Sequence, residues 1–88
     1  MSNIGYVKVE PSDEYQDLAA LANITFTPES MYEIQVIGEV MLCESANQPT
    51  EGGFFIKSGT SVVYEAGSDT LWVKNLRNFE EAIVNIAD

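Results

Sequence analysis

The chain has 88 residues, 45% of them hydrophobic, and sets 14 acidic against 4 basic side chains for a formal charge of −10. One domain is all this length allows, and a domain so small buries only about 60 to 65% of the surface its unfolded chain exposes. The charge repels nucleic-acid backbones and anionic lipid surfaces, while one cysteine and no histidine exclude an internal disulfide and a zinc cluster.

MSNIGYVKVE lacks a basic region followed by an apolar run, so no signal peptide is expected and synthesis is placed in a cytoplasm. No stretch approaches the roughly 20 apolar residues of a membrane helix. Ile4 to Val9 reads as a first strand, with Val7 and Val9 on one face, Tyr6 and Lys8 on the other, and Pro11 to stop it. Residues 1–10 are therefore an N-terminal strand or arm of a single 1–88 β domain. Ser12-Asp13-Glu14 has the composition of a helix start. The YQDLAALA that follows, with Tyr15, Leu18 and Leu21 at three-residue spacing, is either a short helix or 3₁₀ turn, or an irregular extended arm.

Asn23 closes that segment, Ile24 to Thr27 is β-branched and aromatic, and Pro28-Glu29-Ser30 supplies a turn. The central stretch is Met31 to Glu44. Tyr32, Ile34 and Val36 alternate with Glu33 and Gln35, and the apolar pattern resumes at Val40, Met41, Leu42 and Cys43. Two adjacent strands of one antiparallel sheet are expected, joined by a tight turn at Ile37-Gly38-Glu39.

Residues 45–53 have the Asn, Pro and paired Gly of a surface loop. Phe54 to Lys57, Ser61 to Glu65, Thr70 to Lys74 and Ala82 to Ile86 then read as strands. Turns fall at Ser58-Gly59 and Ala66 to Asp69, and a polar connection at Asn75 to Asn78. Seven or eight short strands at roughly ten-residue spacing make an all-β chain: a small antiparallel β-sandwich, or a jelly-roll-like partly open barrel.

The chemistry is thin. Without histidine, neither a Ser-His-Asp nor a Cys-His arrangement can be assembled, and no glycine spacing fits a phosphate cradle. Cys43, in an apolar run, is expected as an inert core thiol. Asp13 with Glu14, and Glu80 with Glu81, are adjacent acids that a strand would turn to opposite faces. Asp13, Asp17, Glu51 and Asp69 lack the spacing of a calcium loop. No catalytic, cofactor or metal residue is assigned, and no enzyme is expected. Phe54, Phe55, Tyr64 and Trp72 are either core and subunit packing or a sugar-stacking platform.

A leading YQDLAAL, a turn into TPESMYEIQVIG, then VMLCES, a QPTEGGFFIKSG loop and strand, and a closing DTLWVKN with AIVNIAD follow one another from Tyr15 to Ile86. This succession resembles small accessory proteins of tailed-phage virions, of the capsid decoration, cement or head-fibre type. The resemblance implies a non-catalytic virion protein that decorates or cements the capsid, commonly as a trimer at symmetry axes, or anchors a fibre. Its partner would be the major capsid protein or another virion protein. Contacts are then expected from exposed apolar residues: Tyr6, Phe54, Phe55, Tyr64, Trp72 and Leu76. Two other functions fit the bare residues, a carbohydrate or host-surface binding module of a fibre and an acidic inhibitor that mimics DNA.

Overall fold

Runs of alternating apolar residues become strands with one buried face. A computed structural model describes residues 2–76 and 81–88. Among these, the elements in chain order are β1 (Asn3–Val9), β2 (Gln16–Asp17), α1 (Leu18–Ala22), β3 (Met31–Ile37), β4 (Val40–Ser45), β5 (Phe54–Ile56), β6 (Thr60–Glu65), β7 (Thr70–Asn75) and β8 (Ala82–Ala87). With 53% of residues in strands against 6% in helix, the fold is all-β as expected.

One sheet has the order β1-β8-β3-β6 and the other β2-β7-β4-β5. Every pairing within them is antiparallel. The partnerships β4·β5, β3·β6, β2·β7 and β1·β8 are nested, so the chain is one long hairpin folded over into two layers. That is the strand order of a jelly roll, and the sheets do not close into a barrel. The nest ends with the chain termini side by side, where the Asp88 amide donates to the Ser2 carbonyl at 3.0 Å and the Ser2 amide to Asp88 Oδ1 at 3.1 Å.

The core lies between the layers. Val7 and Val9, Ile34 and Val36, and Val84 and Ile86 from the first sheet meet Val40, Leu42, Leu71 and Val73 from the second, all buried. Leu18, fully buried, is the apolar plug that α1 contributes. Asn75 is buried as well, and its Nδ2 donates to the Val9 carbonyl at 2.7 Å. This bond ties β7 of one sheet to the end of β1 in the other and satisfies a carbonyl that burial would otherwise penalise.

Three expectations need correction. The Ile37-Gly38-Glu39 segment does not join neighbours in one sheet: β3 pairs with β6 and β8, whereas β4 pairs with β5 and β7. A three-residue hairpin and a bend between layers keep the same inward parity from Val36 to Val40, so alternation could not separate them. Ser12 is not a helix cap either. Its hydroxyl accepts from the Glu14 amide at 3.1 Å in a local turn, and α1 starts later, capped by the Asp17 carboxylate on the Ala20 amide. Asn23 does close it, in the left-handed region at φ 57°.

The β-branched and aromatic Ile24 to Thr27 lies outside the strands, with Ile24 and Phe26 laying their side chains on the core while the Thr27 amide donates to the Tyr32 hydroxyl at 2.7 Å. Cys43 is half-buried rather than in the core. Val40 and Leu42 take the inward positions of β4, which leaves Met41 and Cys43 on its outer face.

The layer crossing depends on Gly38. Its φ of +99° lies where L side chains are strained, and a Cβ there would stand 3.0 Å from Ala82 Cβ and 3.1 Å from Ala82 Cα. Gly38→Ala is expected to lower the unfolding free energy by about 1–3 kcal/mol. Urea unfolding measures this, and a loss within about 0.5 kcal/mol would show that the crossing does not need glycine.

Candidate functional site

Two of the sandwich's edges, β5 in one layer and β6 in the other, are consecutive in the chain and joined by a turn in which the Thr60 amide donates to the Lys57 carbonyl at 3.2 Å. β5 has only three residues and cannot cover the whole length of the layer facing it. The result is a cleft of about 410 Å³ between the sheet edges. Ile34, Leu42, Ile56 and Leu71 form its buried floor, with Phe54 and Phe55 exposed at the lip. Phe54 shares the inward parity of Ile56, yet stands 78% exposed because it overhangs the cleft rather than packed core.

Polar character enters at one place. The Tyr64 hydroxyl donates to Glu44 Oε2 at 3.1 Å, and the ring behind it is held edge-on by Phe26 at 5.2 Å. Phe26 is in turn edge-on to Tyr32 at 4.9 Å. Burial, reinforced by the Glu44 charge and the hydrogen bond to it, pushes the Tyr64 phenol up to about 12. The Tyr64 phenol therefore keeps its proton near neutral pH and stands as a fixed donor on an apolar surface.

Of the six residues expected at contacts, Phe54, Phe55 and Tyr64 are brought together here. Tyr6 is exposed on the outer face of β1 and Leu76 just beyond β7. Trp72 lies on the outer face of β7 and does not line the cleft. Tyr64 and Trp72 were expected to be exposed and are half-buried. Tyr64 turns inward with Val62, and Trp72 docks its indole by donating from Nε1 to the Ser45 carbonyl at 2.9 Å.

Sequence reasoning missed Glu44, and it missed Val63, 71% exposed on β6. Consecutive valines in Ser61-Val62-Val63-Tyr64 carried the signal, because a regular strand must turn one of them outward.

Neither adjacent acid pair was expected to form a site. Asp13 and Glu14 are exposed, and Glu80 lies outside the described residues. Glu81 instead hydrogen-bonds to Glu10, and this contact, with the repulsion between the two carboxylates, holds Glu10 above its ordinary range. Among the described residues no group of three or more acidic or thiol side chains could hold a metal ion. A second hollow of about 420 Å³ runs from α1 to the 67–70 turn, with Asp17 and Asp69 among its lining, and is more polar than the cleft. No protein-family model, no curated protein and no solved structure matches the chain.

The Tyr64 shift has a testable sign. An unfolded tyrosine ionises near 10, so a folded value raised to about 12 contributes stability that is complete below pH of about 10 and is lost as pH rises through the folded value. Burial raises Tyr15 as well, so ultraviolet difference titration should show more than one late phenolic step, of which Tyr64→Phe removes one. If the spectrum keeps every late step in the variant, the assignment to Tyr64 is wrong.

Proposed function

We propose that this is a non-catalytic structural protein of a tailed-phage virion, which decorates or cements the capsid through protein–protein contacts with the major capsid protein or another virion protein. The observation that carries this reading is the open β5/β6 edge, where Phe54 and Phe55 stand exposed over a cleft floored by core side chains. An 88-residue sandwich with so little interior gains stability by closing such an edge against another protein. The strand order agrees with a role of this kind, since jelly rolls recur in capsid proteins, although an architecture of this sort hosts many activities. The charge of −10 keeps the outward surface of a decorated particle soluble.

Cementing follows from geometry. A small protein seated across neighbouring shell subunits buries area on each, and separating them must break both sets of contacts. Mass spectrometry of particles purified from the phage that carries this coding sequence is expected to find the chain in fixed ratio to the shell protein. Particles made without it should lose integrity at lower temperature. The double variant Phe54→Ser, Phe55→Ser should bind such particles at least about tenfold more weakly while keeping its far-ultraviolet spectrum. Absence from particles would end this reading.

One observation favours a second reading, a carbohydrate or host-surface binding module of a fibre. The Glu44 carboxylate and Tyr64 hydroxyl sit beside the exposed Phe54 and Phe55 rings, which is the pairing of acceptor and apolar face that sugars use. A glycan array decides it: binding by the native chain that Glu44→Gln abolishes would favour the fibre module, and uniform silence would remove it.

A further inference from the structure

Four strands end the two sheets: β1 and β6 in one, β2 and β5 in the other. An edge strand exposes a row of unpaired amides and carbonyls, and proteins guard such rows by brevity, bulges, lysine, proline or a covering element. β2 has two residues and β5 three. β1 carries Lys8 and a register break between Asn3 and Gly5, and α1 packs beside it. β6 has none of these devices. Its six residues, TSVVYE, include no lysine, proline or glycine, its register with β3 runs unbroken from Thr60 to Glu65, and it holds Val63 71% exposed.

We infer that β6 is a pairing edge, and that its occupant is β6 of a second copy, antiparallel about a two-fold axis through Val63. Backbone geometry sets the centre. Just past β6, the Ala66 amide donates to the Ser30 carbonyl at 3.0 Å in the same register. Ladder bonds alternate, so residues 62 and 64 bond to β3, while the amides and carbonyls of Ser61, Val63 and Glu65 point to the open side.

Pairing about Val63 is self-complementary. Val63 meets Val63 of the second copy, and Glu65 meets Ser61, so no carboxylate faces a carboxylate. On the inward side Val62 meets Tyr64, a β-branched and aromatic pair of the kind that stabilises sheets. The two clefts then face each other across the axis with Phe54 and Phe55 between them. Those two rings carry roughly 200–250 Å² of exposed surface. With the strand itself they approach the roughly 600 Å² per partner at the low end of specific interfaces, about a tenth of the 5290 Å² surface.

Both chains carry −10, so salt should strengthen the pair by screening. The inference does not rest on the virion reading, but it gives the β6 edge with Phe54 and Phe55 to a second copy where that reading gives it to another virion protein, and it places a two-fold contact there in place of the three-fold arrangement that the resemblance implies. Sedimentation and light scattering of the full chain, at low and high salt, are expected to show a dimer favoured by salt. Val63→Lys should raise its dissociation constant at least about tenfold with an unchanged melting profile of the monomer.

In a Cys43→Ser background, Val63→Cys should link two chains on mild oxidation, because Cα atoms facing across an antiparallel pair lie within disulfide reach. Tyr6→Cys, on the guarded edge, should not. A chain that stays monomeric at about millimolar concentration would overturn the inference. So would an oligomer that Val63→Lys leaves intact and Val63→Cys does not link. A monomeric chain still found on particles would overturn it while leaving the decoration reading standing.

Discussion

The fold rests on keeping one side of the chain inward while it passes from one layer to the other. From Tyr32 to Leu42 the even-numbered apolar residues face the core without a change of phase, although the sheet changes midway. Gly38 makes this possible by adopting a φ of +99° against the start of β8, where Ala82 leaves no room for a side chain. The Gly38 amide also donates to Ser58 Oγ at 2.9 Å, which anchors the crossing to the β5–β6 turn. One backbone bend thus sets the spacing of the layers and the position of the open edge. The Asn75 bond to Val9 joins the layers between β7 and β1, and the Tyr64 bond to Glu44 joins them at the cleft.

Most strands were legible because burial imposes a period of two. Val7 and Val9, Leu71 and Val73, and Ala82, Val84 and Ile86 all face inward as their spacing required. Sheet membership was not legible, because parity is blind to whether a chain reverses or crosses. The helix start was misplaced because Ser12 and Asp17 are both good capping residues, and only tertiary packing of Tyr15 and Leu18 decides between them. Tyr15 is pinned by its own hydroxyl on the Gly52 carbonyl and by Gln48 Nε2 on its carbonyl at 2.7 Å, long-range bonds that no local pattern announces.

The cleft was half legible. Adjacent phenylalanines in a short strand must expose at least one ring, and both are exposed. Tyr64 and Trp72 failed the same reasoning, since facing outward or lying near an edge does not fix how much neighbouring side chains cover. The cleft itself comes from a local mismatch, a three-residue strand facing a six-residue one. That mismatch in length leaves apolar floor open in a chain that carries a charge of −10.

The bonded ends of the chain carry a practical consequence. Ser2 and Asp88 meet at the β1–β8 pair, across the full width of its sheet from β6. Cargo fused to either end would leave from a single corner, with the phenylalanine lip on the far flank left clear. The domain thus carries its bonded ends on one flank and its exposed phenylalanine lip on the other.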